Sequence, residues 1–290
     1  MHRAERVLKS CPRIDGHMPE LPEIETVRRV TGPLMTGRTV ASVEVLRDKI
    51  VDDPEGFPEL VTGRTVTDVG RRAKALLVHL DNGSHLVIRF GMTGALLCVP
   101  SDEPVHRHAR VTFTFTDETR AEFRDMRMFG HIWHIPADIY DDVSGVSDLG
   151  IEPDDPALTW RFLSDNMGGS SRAVKSALLD QGIVCGLGNI YTDEVLWRSG
   201  VCPENPCSKL RRKDWKAIAE HIPEVIADAV EGNAVTADEF RKDGGVRYRF
   251  RELDAYGNAG KPCKRCGTAM VRSVIGQRSS VWCPRCQKKL

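Results

Sequence analysis

The residues with the clearest chemical potential lie in the stretch Met18-Pro19-Glu20, just ahead of a predicted helix. A proline nitrogen is nucleophilic only as a free secondary amine, because within the chain it belongs to an amide without an available lone pair. If Met18 began the chain and were removed, Pro19 would carry an α-amine, whose typical pKa of about 7.7 leaves far more of it neutral near pH 7 than a lysine at about 10.4. Such an amine could form a Schiff base with a sugar carbon. Taken alone, these residues are more typical of a proline-capped surface helix.

The predicted helix would hold this stretch at its N-terminus. Pro22 suits the first helical position, and Glu23 and Glu25 complement the positive end of the helix dipole. Apolar residues continue at helical spacing until Thr31-Gly32-Pro33 interrupts them. The candidate nucleophile and its neighbouring acid are therefore expected where anions are favoured.

Four cysteines near the C-terminus form the strongest metal motif, as Cys263-Lys264-Arg265-Cys266 and Cys283-Pro284-Arg285-Cys286. Two close pairs of thiolates predict a closed, tetrahedral, structural zinc site with no ligand position left for water. A disulfide or redox pair is the less favoured alternative, since the other five of the nine cysteines are scattered. Between the pairs, Val271 to Trp282 could make a hairpin with Gln277-Arg278 near its tip.

Length and composition set the class of protein. The chain has 290 residues, enough for two domains, and its 41% hydrophobic content is ordinary for a globular protein. No apolar run approaches a membrane span, and residues 1–17 are mixed and charged without an apolar signal region, which argues against secretion.

The formal charge of the chain is zero, but the charges are unevenly distributed, because residues 255–290 are basic and residues 138–155 are acidic. A solvated basic tail would also explain the C-terminal charge.

The first half predicts a sandwich or barrel of antiparallel strands with the first helix attached. Asp81-Asn82-Gly83 is typical of a hairpin turn, and Val111, Phe113 and Phe115 alternate with threonines as in a strand with one buried face. The predicted strands are Val40–Leu46, Ala75–Leu80, His85–Phe90, Val111–Thr116, Arg120–Phe123 and His131–Ile135.

The second half predicts helices. Residues 182–188 form a glycine-rich turn between two of them, which could bind a backbone phosphate through free amides at the second helix start. A simple helical hairpin is commoner without further context. The predicted helices are Trp160–Asn166, Ser171–Gln181, Asn189–Arg198 and Lys209–Val230.

Together these motifs resemble the formamidopyrimidine-DNA glycosylase and endonuclease VIII family, in order and spacing, from Met18 to the C-terminus. The start Met18-Pro19-Glu20 is similar to the family's Met-Pro-Glu, and Leu21-Pro22-Glu23 is similar to its formamidopyrimidine branch. Gly186 to Tyr191 looks like the family's helix-two-turn-helix.

The resemblance implies an α+β protein with a β-sandwich and attached N-terminal helix, a helical domain containing the helix-two-turn-helix, and a zinc-finger hairpin. It implies a bifunctional glycosylase and abasic-site lyase that removes 8-oxoguanine and formamidopyrimidines from duplex DNA. We expect a monomer in the bacterial cytoplasm, on the nucleoid when bound to DNA. The expected boundaries are a leader or misassigned start at 1–17, a catalytic domain at 18–136, a linker at 137–156, a helical domain at 157–254 and the finger at 255–290.

The resemblance also implies roles for single residues. Pro19 would be the nucleophile, Glu20 would protonate the opening sugar ring, and Lys74 and Arg278 would assist elimination at the phosphates. An enzyme that extrudes one base must fill the gap, which suits a flexible apolar chain, an aromatic wedge and an arginine. The resemblance further assigns three void-filling residues, two phosphate contacts and four zinc ligands: Met92, Arg127 and Phe129; His108 and Asn189; and Cys263, Cys266, Cys283 and Cys286.

Most of these residues also have ordinary explanations. Lys74 belongs to a basic cluster at a strand start, which is more often a solvated surface run, and an isolated Arg278 would more often be a solvated charge. The two glycine-bounded loops, Phe90–Gly94 and Asp125–Gly130, would alone be ordinary hairpin loops.

The sequence departs from the family pattern at three places and leaves the preferred lesion open. Ser170-Ser171-Arg172 replaces a lysine-rich segment, Arg89 replaces a usual histidine, and Arg247 and Arg249 replace Gly and Phe in a loop that covers the extruded base in relatives. The alternatives are a glycosylase that prefers oxidised pyrimidines, a catalytically inactive damaged-DNA-binding paralogue, and a zinc-ribbon module fused to an unrelated β-domain.

Overall fold

A computed structural model describes residues 18–137, 144–245 and 253–290. The predicted leader, Arg247 and Arg249 lie outside the described residues. Among the described helices, none combines the length and apolar character that a membrane crossing requires.

The N-terminal half is a β-sandwich of two four-stranded antiparallel sheets, with strand orders β1-β6-β7-β5 and β2-β3-β4-β8. The predicted sandwich is therefore confirmed, including the hairpin turn between β3 and β4. Strands β2 and β5 were not predicted, because the first is largely polar and the second follows directly on a glycine-bounded loop. The strands are β1 Val40–Val45, β2 Val66–Arg72, β3 Ala75–Leu80, β4 His85–Arg89, β5 Gly94–Pro100, β6 Ala109–Phe115, β7 Thr119–Asp125 and β8 His131–Ile135.

Helix α1 (Leu21–Met35) joins the two halves of the molecule. Ile24 and Val27 are buried in the core of the sandwich, whereas Leu21 at the helix start belongs to the core of the helical half. The chain just ahead of α1 is therefore fixed where the halves meet.

The predicted interruption of α1 at Thr31-Gly32-Pro33 is wrong, since the helix continues to Met35. Pro33 lies in the last turn on the exposed side, so water can reach the carbonyl that it leaves without a partner. The Thr36 amide donates to the Gly32 carbonyl at 2.9 Å and closes the helix beyond the proline.

The C-terminal half contains the predicted helices and the predicted hairpin, together with a further short helix, α7 (Ala237–Lys242). The second predicted helix is shorter than expected, because residues 170–173 pair with residues 206–208 instead: the Cys207 amide donates to the Arg172 carbonyl at 3.0 Å. The remaining elements are α2 Phe57–Val61 in the first half, then α3 Trp160–Met167, α4 Val174–Leu178, α5 Asn189–Ser199, α6 Arg212–Gly232, α7 Ala237–Lys242, β9 Val271–Ile275 and β10 Arg278–Trp282.

Candidate active site

A cleft of about 450 Å³ lies between the sandwich, the start of α5 and the tip of the β9–β10 hairpin. Three of the predicted catalytic residues line it: Pro19 from the N-terminal stretch, Lys74 from the β2–β3 turn and Arg278 from the hairpin. Phe129 and Arg89 also reach the cleft. Residues from the two ends of the described chain thus face one cavity.

The Glu20 carboxylate sits at the N-terminus of α5. Its oxygens accept the backbone amides of Ile190 at 3.0 Å and Tyr191 at 3.4 Å. Burial raises the pKa of Glu20, while Lys74 and these amides oppose the rise. Gly188 makes the approach feasible, because a Cβ on it would lie 2.2 Å from the Glu20 carboxyl carbon.

Glu23 fixes the backbone of the same stretch. One of its oxygens accepts the Glu20 amide at 2.8 Å, and the other accepts the Tyr191 hydroxyl at 2.5 Å and the Asn233 side-chain amide at 3.1 Å. Burial raises the pKa of Glu23 to about 7. Two adjacent buried acids are thus held in different surroundings, with Glu20 towards α5 and Lys74, and Glu23 towards Tyr191.

Lys74 occupies the turn between β2 and β3. Its Nζ donates to the Leu187 carbonyl at 2.7 Å, within the glycine-rich turn that leads into α5. Burial lowers the pKa of Lys74, an effect that nearby Glu20 opposes and Arg278 reinforces. A lysine with a lowered pKa exchanges a proton more readily near neutral pH.

The two glycine-bounded loops are tied together by the buried carboxylate of Asp125. It accepts the Thr93 hydroxyl, the Arg127 amide at 3.1 Å and the Gly130 amide at 2.8 Å. Phe129 is 58% exposed, and the Arg127 guanidinium lies 4.8 Å from the centre of its ring. The hydrogen bonds of Asp125 therefore hold a loop that exposes an aromatic side chain beside a cation.

Three other predicted DNA contacts lie outside the lining of the cleft. Met92 is partly exposed in the first loop, and His108 is partly exposed with its Nδ1 3.4 Å from Arg110 Nη2. Asn189 begins α5, and its Oδ1 is buried without a hydrogen-bond partner among the described residues.

The four predicted zinc ligands converge, with their Sγ atoms all within 4.8 Å of one another. Tetrahedral Zn–S bonds of about 2.3 Å place sulfurs about 3.8 Å apart, so the cluster fits one ion. The eight cysteines among the described residues form no disulfide, and Cys11 lies outside them.

A buried ion pair docks the hairpin on the helical half. Lys175 Nζ donates to Asp193 Oδ1 and to the Ser279 carbonyl, each at 2.7 Å. Asp193 also accepts the Ser280 hydroxyl at 2.7 Å and the Val281 amide at 2.9 Å. The position of Arg278, next along β10, depends on these bonds.

Family models match three parts of the chain: the formamidopyrimidine-DNA glycosylase N-terminal domain at residues 18–132, the glycosylase's H2TH domain at 149–240, and a zinc finger found in this glycosylase and an isoleucyl-tRNA synthetase at 260–289. The chain belongs to the formamidopyrimidine-DNA glycosylase family. Accordingly, the four thiolates bind one structural zinc, and the fold is the α+β arrangement that the resemblance implies.

Known members are similar over nearly their whole length. The formamidopyrimidine-DNA glycosylase of Pelotomaculum thermopropionicum is 37% identical over 274 residues, 93% of this chain and 99% of its own. That of Bacillus subtilis is 38% identical over 278 residues, 94% of this chain and all of its own.

Solved structures of two members of the family are similar to this structure. The Lactococcus lactis enzyme non-covalently bound to DNA containing an abasic site has a TM-score of 0.84 at 28% identity, covering 93% of this chain and all of that one. The Thermus thermophilus protein has a TM-score of 0.78 at 32% identity, covering 94% of this chain and all of that one.

Several residues of the site were not found from the sequence. The buried partners Tyr191, Asn233, Lys175 and Asp193 carry no local signal, because nothing in their spacing shows which distant residue they meet. A glutamate three residues after Glu20 is the spacing of a capping box, which could have revealed the Glu23 contact.

Proposed function

We propose that this glycosylase is bifunctional, removing oxidised bases from duplex DNA and then cleaving the strand at the abasic site. The observation that carries the proposal is the meeting of Pro19, Lys74 and Arg278 around one cleft, with Glu20 buried beside them. We expect 8-oxoguanine and formamidopyrimidines as substrates, and a monomer acting in the bacterial cytoplasm on duplex DNA.

In base release, the free Pro19 nitrogen attacks the sugar C1′ carbon, and the base departs with the electrons of the glycosidic bond. The attacking nitrogen gives up its proton to the departing base, which leaves as a neutral molecule. Glu20 then donates a proton to the ring oxygen as the C1′–O bond breaks, and the nitrogen lone pair forms the iminium between Pro19 and C1′. A carboxyl with a raised pKa suits this donation, because a larger fraction of it is protonated near neutral pH.

In strand cleavage, the iminium acidifies the C2′ carbon. Loss of the C2′ proton lets the C–H electron pair form a double bond while the C3′–O bond breaks and the phosphate leaves with that bonding pair. A second elimination releases the 5′ phosphate in the same way. Lys74 and Arg278 would bind the phosphates, and Lys74 would supply a proton in the first elimination.

DNA binding would use the exposed loop and the helix start. Phe129, Arg127 and Met92 would fill the space left by the extruded base, while His108 and Asn189 would contact phosphates. Zinc holds the finger that carries Arg278 and takes no part in the chemistry.

The test compares the 290-residue chain with protein started at Met18 and processed to Pro19. Borohydride reduction on abasic-site DNA should trap an adduct through Pro19 only in the second, because an acylated proline cannot form an iminium. Two controls accompany this test. Mass measurement establishes each N-terminus, and a Pro19→Gly variant keeps a primary amine in place of the proline amine.

Two outcomes would overturn this assignment. An efficient adduct from the intact 290-residue form would show that another amine, with Lys74 first to examine, is the nucleophile. Lesion-selective DNA binding without an adduct from either form would instead support an inactive damage-binding paralogue. A panel containing oxidised pyrimidines addresses the remaining alternative, since one Lactococcus lactis structure holds DNA with an oxidised pyrimidine.

A further inference from the structure

Glu152 lies in the connecting segment (residues 144–159), whose acidic composition resembles that of a passive linker. Its carboxylate instead accepts three bonds from the end of β2 and the β2–β3 turn: Oε2 from Arg71 Nη1 at 2.8 Å, and Oε1 from Arg72 Nη1 at 3.1 Å and from the Ala73 amide at 2.8 Å. Burial would raise the pKa of Glu152, but Arg71, the Ala73 amide and Arg72 together hold it below its usual value.

The backbone just before Glu152 is itself attached. The Ile151 amide donates to the Ile183 carbonyl at 3.1 Å, and the Cys185 amide donates to the Ile151 carbonyl at 2.9 Å. Arg72 Nη2 donates to the carbonyls of Leu149 and Gly150 at 2.8 and 2.7 Å. The connecting segment is therefore bound to the glycine-rich turn on one side and to the end of β2 on the other.

The β2–β3 turn carries Lys74 directly after Ala73. Ala73 adopts a φ of 49°, a left-handed conformation that is unfavourable for alanine and needs support from its surroundings. Because the Ala73 amide is bonded to Glu152 and the Lys74 Nζ to the Leu187 carbonyl, the lysine is held at its base and at its tip.

We infer that Glu152 is a positioning residue that holds Lys74 in the cleft for strand cleavage. The inference rests on the proposed function, in which Lys74 assists the first elimination. It does not extend to the attack at C1′, since the bonds of Glu152 go to the end of β2 and the β2–β3 turn, whereas Glu20 is supported by Glu23 and α5. Loss of Glu152 should therefore slow elimination more than iminium formation.

The experiment uses processed protein beginning at Pro19 and measures two rates on preformed abasic-site DNA under saturating single-turnover conditions. Borohydride trapping reports the iminium, and strand scission reports elimination. Glu152→Ala removes all three bonds and should slow scission by about tenfold or more, as expected for loss of a charged hydrogen-bond partner, with trapping changed by less than about threefold.

Glu152→Gln provides a variant of the same length that retains an oxygen for the Ala73 amide. It should slow scission by an intermediate factor of about threefold, since only the charge opposite the two arginines is lost. Asp154→Ala, an exposed acid two residues further along the same segment, is the matched control and should leave both rates unchanged. If the alanine variant fails to fold, the glutamine variant alone decides the question.

The results separate this inference from the function on which it rests. If neither Glu152 variant changes scission while Lys74→Met abolishes it, Glu152 does not position the lysine. An equal loss of trapping and scission would mean a general defect of the cleft and would also overturn the inference. If Lys74→Met leaves scission unchanged, the proposed role of Lys74 itself fails.

Discussion

The buried pair of Lys175 and Asp193 should control whether the zinc-finger hairpin remains docked. Both side chains are fully buried, and burial lowers the pKa of the lysine and raises that of the aspartate. Removing one member of such a pair leaves the other charge without compensation and costs about 3–5 kcal/mol. We therefore expect Lys175→Met to weaken docking by about 3 kcal/mol or more.

The structure also ranks the variants. Lys175→Met leaves Asp193 with the Ser280 hydroxyl and the Val281 amide as donors, whereas Asp193→Ala leaves three buried donors without their acceptor. Each unsatisfied buried group adds about 1–3 kcal/mol, so Asp193→Ala should be the more damaging change.

Hydrogen exchange at the Val281 amide measures the stability of hairpin docking directly, because that amide donates to Asp193. A loss of about 3 kcal/mol corresponds to exchange about 100-fold faster where local opening controls exchange. Arg198→Ala removes a more exposed ion pair with Asp228 and should change exchange by less than about fivefold. If Lys175→Met accelerates exchange no more than this control does, the ion pair is not the anchor of the hairpin.

Further predictions concern the metal, two buried positions and one loop. Chelating zinc should abolish DNA binding and loosen the finger while the sandwich stays folded; undiminished binding by protein with no measurable metal would defeat this. Because the folded pKa of Glu23 is about 7 against an ordinary 4.5, folding binds a proton between these two pH values, and the free energy of unfolding should fall by about 3 kcal/mol as pH rises through this window; urea unfolding at several pH values should show this slope reduced in Glu23→Gln. Gly188→Ala should displace the Glu20 carboxylate, so trapping should fall sharply; unchanged trapping would show that Glu20 can move at no cost to the chemistry. The double change Arg247→Gly and Arg249→Phe should raise activity on 8-oxoguanine relative to other lesions, and unchanged relative rates would exclude the loop as the determinant.

The sequence alone determined the local chemistry and much of the secondary structure. Four cysteines in two close pairs specify a zinc site because ligand type and pair spacing are local properties. Alternation at Val111, Phe113 and Phe115 specifies a half-buried strand, since side chains of a strand point to opposite faces in turn. Strand β2 was not predicted, because a polar strand with few buried residues shows little of this alternation between apolar and polar side chains.

Only the tertiary structure decided which distant residues share a site. Glu20 meets the amides of Ile190 and Tyr191, and Lys175 meets Asp193 beneath the hairpin. Glu152 shows most clearly what the sequence leaves undecided. An acidic, proline-containing segment has the composition of a linker whether or not the Glu152 carboxylate accepts hydrogen bonds. Pairings of this kind depend on how the sandwich, helices and finger pack together, and the spacing of residues along the chain does not encode that packing in any local pattern.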